Sequence, residues 1–231
     1  MQRATKIGSG LAGLVVAGSL LFGAAMPARA VTADHPDWNP LRDWFTSYGV
    51  TAADQSHLIS TLDAGGIIDS MRADAVPVST RVVEKAGSTE SITTFADHSI
   101  TVGALEKPQT AGTGMQPRAI AGCSTSSGGG YASFQNCTVS QSNGTVTMTF
   151  KADYSRWATG ASISNYREAN AIVNYGSATQ PDWSFVRTTG SGATPATVTA
   201  HSRYTTYNNA GSEELYLSLR VSSSQAWTTT Y

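Results

Sequence analysis

A mainly β protein, with an antiparallel sandwich or barrel after a small N-terminal α+β module, is predicted from three observations. The runs "TVTMTFKADY" (145–154) and "ELYLSLRV" (214–221) alternate between apolar and polar residues without a break. Such alternation gives a strand one buried and one wet face. Asn143-Gly144, a preferred two-residue hairpin turn, stands just before the first run. Helical periodicity, by contrast, is confined to residues 39–64.

Residues 1–30 read as a secretory leader. Arg3 and Lys6 precede an apolar run from Leu11 to Met26, and Ala28-Arg29-Ala30 supplies small residues for cleavage after Ala30. Beyond it, no stretch approaches the roughly 20 apolar residues that span a bilayer. The mature chain is therefore expected outside the cell and free of the membrane.

Residues 31–105 form the acidic module. Asn39 is a helix cap followed by Pro40, and Leu41, Trp44, Phe45 and Tyr48 fall on one stripe before Gly49. Thr51 and Asp54 resemble a capping box that opens a second helix, with Leu58, Ile59 and Leu62 on its buried face. Three short strands follow in "VSTRVVE", "ESITTF" and "SITVGAL", the last two joined by a turn at Ala96-Asp97-His98-Ser99. Residues 106–119 have the Pro and Gly content of a linker. Residues 120–231 are the β domain, with further strands expected in "REANAIVNY", "DWSFVRTT" and "ATVTAHSRYTTY".

The only two cysteines, Cys123 and Cys137, lie in "GCSTSSGGGYASFQNCTV". With Asn143-Gly144 as the turn, Cys137 faces Phe150 on the apolar side. An inward cysteine with a single partner in an exported chain reads as half of a disulfide. The Ser-Gly run between the two is then the slack of a closed loop, worth about 3 kcal/mol by chain entropy. No metal site and no cofactor are expected, since no ligand spacing or phosphate-binding loop occurs.

Charge excludes one class of partner. Without the leader the chain holds twelve bases against sixteen acids, and residues 31–75 carry seven acids and two arginines. Nucleic acid demands the opposite balance, so the helical pair is not a DNA-binding unit. The last 111 residues contain 35 Ser and Thr, a neutral, hydroxyl-rich composition.

Catalytic motifs are missing from the sequence. His201 with Asp153 or Asp182 is the sole triad-like combination in the β region, and serines are too abundant for it to carry information. Aromatic rings are the more suggestive feature. Trp157, Trp227, Tyr204 and Tyr207 are candidates for stacking on sugars or anchoring a partner, and the two tryptophans lie at or beyond expected strand ends. These readings favour a non-catalytic extracellular binding protein. Its partner would be a glycan, a cell-envelope component or another protein. The alternatives are a hydrolase centred near His201, or a secreted toxin, inhibitor or envelope factor that acts on proteins.

The segment "YGVTAADQSHLISTLDAGGIIDS", with "FADHSITV" and "IAGC" after it, resembles uncharacterised secreted proteins of actinobacterial type. The likeness runs from Asp43 to Cys137. It departs at Asp97-His98-Ser99, where His replaces the middle Gly of that family's Asp-Gly-Ser turn. The resemblance implies export and brings no activity and no functional residue.

Overall fold

A computed structural model describes residues 35–109 and 122–230. The leader assigned to residues 1–30 lies outside these residues, as does the linker beyond Gln109.

The helices form where local chemistry places them. Helix α1 (Asn39–Ser47) starts one residue earlier than expected: Trp38 is the cap, and Pro40 sits in the first turn, where no intrahelical N–H is missed. Helix α2 (Ala52–Asp63) opens on Thr51, whose Oγ1 accepts from Asp54 N at 3.3 Å and donates to Asp54 Oδ2 at 2.6 Å. A 3-10 turn follows at Asp69–Met71.

Thirteen strands are described: β1 (Ser79–Glu84), β2 (Ser88–Thr94), β3 (Ile100–Glu106), β4 (Ser124–Gly128), β5 (Tyr131–Ser142), β6 (Val146–Trp157), β7 (Gly160–Val173), β8 (Ser177–Ala178), β9 (Asp182–Arg187), β10 (Thr189–Ser191), β11 (Ala196–Thr205), β12 (Ser212–Val221) and β13 (Ala226–Thr230). They make two antiparallel sheets. One runs β1-β2-β3-β5-β6-β7-β10 with β4 beside β5, and the other runs β13-β12-β11-β8 with β9 also on β11. The protein is mainly β, with two helices at its N-terminal side, as the alternation predicts. Val146, Met148, Phe150, Ala152 and Tyr154 are all buried, and so are Leu215, Leu217, Leu219 and Val221. Together with Leu41, Phe45, Leu58 and Leu62 from the helices, they form one apolar core.

The hairpin turn is displaced by one residue from its expected centre. Ser142 pairs with Thr147 and Cys137 with Ala152, so the central residues are Gly144 and Thr145. Asn143 is buried at the turn's entry, where its Oδ1 accepts from Thr145 N, Thr145 Oγ1 and Val146 N. Gly144 has φ +87 and lies against α1, where an added Cβ would meet Leu41 Cδ1 at 2.4 Å. Moving the turn centre by one residue moves the pairing by two, which preserves the side every residue faces. Cys137 is accordingly buried.

Cys123 and Cys137 are joined in a disulfide. The Ser-Gly run between them is not slack. Ser124–Gly128 is strand β4, paired with β5 from Ser124↔Gln135 to Gly128↔Tyr131 around Gly129-Gly130. Serines in an edge strand pair as readily as any residue, and the two glycines adopt the positive φ the turn requires. Strand β5 is long enough for β3 and β4 to lie end to end along one side of it, β3 on Val139–Ser142 and β4 on Tyr131–Gln135. The segments assigned in sequence to an N-terminal module and a β domain thus share one sheet. At the junction, Glu106 accepts from Cys123 N and Thr138 N, both at 2.9 Å. Burial raises the Glu106 carboxyl, but these two backbone N–H groups outweigh it and leave the group below its ordinary range.

Candidate functional site

The tip of the β5–β6–β7 region carries two exposed aromatic rings side by side in the strand register; Phe185 on β9 is a third, single exposed ring. Tyr131 and Trp157 are register partners at the end of the β5–β6 ladder, and they are 53% and 37% exposed. Trp157 also pairs with Gly160 across the next turn. A Cβ at Gly160 would meet the indole at 3.0 Å, so the missing side chain lets the ring lie on the backbone. Three residues along the same strands and on the buried face of the sheet, Phe134 stacks on Tyr154 at 4.5 Å, and the Arg156 guanidinium covers Phe134 at 5.1 Å. Arg156 Nη1 donates to Ser224 O. The surrounding depression is lined by Ser127, Gly128, Gly130, Ser223 and Ser224. The result is a pair of exposed rings on a surface of hydroxyls, backbone and the Arg156 side chain.

The other aromatic candidates divide. Trp227 on β13 is half-buried beside Thr80, Ser91, Thr93, Thr228 and Thr229, a hydroxyl-rich hollow of about 290 Å³. Tyr207 donates to Asp63 O at 2.7 Å and meets Trp38 edge-on, which ties the β11–β12 connection to α2. Tyr204 is 1% exposed and donates to Tyr175 O at 2.6 Å. It belongs to the core and offers no surface to a ligand; burial pushes its hydroxyl up to about 12.

His201 on β11 is held between two carboxylates. Its Nδ1 lies 3.1 Å from Asp182 Oδ1 and its Nε2 lies 2.6 Å from Glu214 Oε2. Arg203 Nη1 donates to Glu214 Oε1 at 3.2 Å, and Tyr216 packs beside the imidazole. Burial lowers the His201 pKa, but the two carboxylates outweigh it and hold the ring above its usual range. An imidazole with an acceptor on each nitrogen favours the cation. Neither nitrogen is left to take a proton from a hydroxyl nucleophile, the task a triad histidine performs. Glu214, the partner that completes this clamp, stands opposite Arg203 and two residues from Tyr216, the position opposite His201, on the same face of the sheet. That proximity depends on the β11–β12 register, which composition does not reveal.

Asp153 stands apart from His201. It accepts from Asn136 N at 2.7 Å and Asn165 Nδ2 at 2.9 Å, and Arg167 lies 3.5 Å away. Burial raises its carboxyl, and these partners overcome that to hold it low. Asn136, Asn165 and Glu168 around it all have positive φ, at the irregular registers of β5–β6 and β6–β7. This network braces bulges. Among the described residues, no group of three His, Cys, Asp or Glu side chains could hold a metal ion, and no helix is long and apolar enough to cross a membrane.

Comparison of the chain with models of protein families, with curated proteins and with solved structures finds no match.

Proposed function

We propose that this is a secreted, non-catalytic binding protein that takes an extracellular or cell-envelope glycan on the Tyr131–Trp157 ledge. The observation that carries the reading is the ledge itself: two exposed rings in register, one seated on Gly160, in a surround of serines, glycines and alanines with Arg156 as its one charged residue. The faces of aromatic rings are electron-rich, and the C–H groups of a sugar ring complement them. Serine hydroxyls at the margin match sugar hydroxyls. The leader-like residues 1–30 and the disulfide support the extracellular setting. The rival hydrolase reading finds less support, because both nitrogens of His201 are engaged by carboxylates.

The test is co-sedimentation of the mature protein with insoluble cellulose, chitin and peptidoglycan. Binding to at least one of them is expected, with a loss of about tenfold or more for Trp157→Ala and retention in Trp157→Phe. Failure to sediment with all three, or full binding by Trp157→Ala, refutes the glycan reading.

A further inference from the structure

A second concavity lies on the opposite part of the fold. The α1–α2 joint stands over the β1–β2–β3 end of the larger sheet and leaves a groove of about 660 Å³ between them. That volume falls within the range of small-molecule sites. Its floor is Ile92, Phe95 and Ile100, and Tyr48 and Val50 from the helical joint form one wall. The floor residues are nearly inaccessible to water, and Val78 at the open side is 69% exposed. Nothing among the described residues fills the space.

One carboxylate and one guanidinium line the rim, and among the described residues only the carboxylate has its side-chain partners in place. Asp54 is the one carboxylate lining the groove, and it is already engaged: it takes Thr51 Oγ1 on one oxygen and His98 Nδ1, at 2.8 Å, on the other. Arg81, at the mouth, donates from Nη2 to Tyr48 O at 3.2 Å and has no acidic partner among the described residues. The other lysines and arginines on β1 and its flanks are paired: Lys85 with Glu90, Lys107 with Glu84, and Arg72 with Asp74. An apolar trough thus ends at a guanidinium that no acidic side chain pairs with among the described residues, and its fork matches a carboxylate.

We propose that this groove binds a single-chain amphiphilic carboxylate, with the alkyl chain over Ile92, Phe95 and Ile100 and the head group on Arg81. The occupant is a free small molecule, and the site is independent of the aromatic ledge. Apolar burial supplies affinity in proportion to chain length, and the charge-assisted pair supplies discrimination against uncharged analogues.

Isothermal titration of the mature protein with dodecanoate and with the uncharged dodecanamide tests it. One saturable dodecanoate site per chain is expected. Arg81→Gln should weaken dodecanoate about tenfold, in line with the loss of a hydrogen bond to a charged group, and leave dodecanamide unchanged. Val50→Trp, which fills the wall, should abolish both. Arg81 is exposed, so its variant keeps the fold and stands as a test even where Val50→Trp does not fold. No saturable dodecanoate binding, equal dodecanoate affinity in Arg81→Gln, or undiminished binding by folded Val50→Trp would each overturn the proposal.

Discussion

At the scale of single residues, this protein uses charge to fasten backbone. Glu106 accepts two backbone N–H groups and Asp153 one, and His201 is clamped between Asp182 and Glu214. The pH dependence follows from these signs. His201 is raised on folding, so its contribution is full below its unfolded value of about 6.5 and is lost as pH rises through its folded value. The gap in Tm between the wild type and His201→Gln is therefore expected to be widest near pH 6 and to close towards pH 9. Thermal unfolding across that range checks it, and a gap that widens with pH contradicts it. Glu106 and Asp153 are lowered, so their contribution is full above the ordinary carboxylate range and is lost on acidification. Gly144 gives a conformational prediction. With φ +87 and Leu41 Cδ1 at 2.4 Å from a Cβ position, Gly144→Ala should cost about 1–3 kcal/mol in denaturant unfolding.

At the scale of elements, the decisive object is strand β5, because two strands from distant parts of the chain abut along one side of it. Cys123, Cys137 and Glu106 meet at that junction. Reducing the disulfide releases the point where the chain re-enters the sheet, and about 3 kcal/mol should be lost. Chemical denaturation with and without reductant measures it, and an unchanged midpoint would show that β4–β5 pairing suffices alone. Much of the element level was legible in the residues. The alternation of "TVTMTFKADY" identifies the buried face of β6, and Thr51 with Asp54 identifies the start of α2. Strand β4 was not legible. Its serines carry no apolar face, and an edge strand exposed on most of its length has no alternation to display. Strand β7 starts seven residues before "REANAIVNY" because Gly160 and Ala161 are buried by close packing rather than by large apolar side chains.

At the scale of the whole molecule, the helices and both sheets share a core, so stability is not divisible at the sequence boundary near residue 119. Residues 122–231 alone lose β3 from the edge of β5 and α1 from the face of Gly144. Calorimetry of that fragment should show no cooperative transition, and a transition within a few degrees of the intact protein would contradict the shared core. The candidate sites were partly visible at this scale. Trp157 stood out because it follows the last alternating residues of its strand. Tyr131 did not, because its exposure depends on the β4–β5 turn. Tyr204 resembled Tyr207 in sequence, yet the former faces the core and the latter the α2 end. The groove with Arg81 brings together residues from the α1–α2 joint and from β1, β2 and β3, and no single window contains it.

By itself the sequence determined which side of each strong strand faces inward, where α2 begins, and that the two cysteines form a staple. These properties are set by neighbours within a few residues, through side-chain alternation, capping hydrogen bonds and the φ that glycine permits. Only the tertiary structure decided the turn register at Gly144, the joining of β3 and β4 along β5, and the clamp on His201. It also decided which aromatic rings reach the surface. Each of those depends on packing between segments far apart in the chain, and no local pattern records that energy.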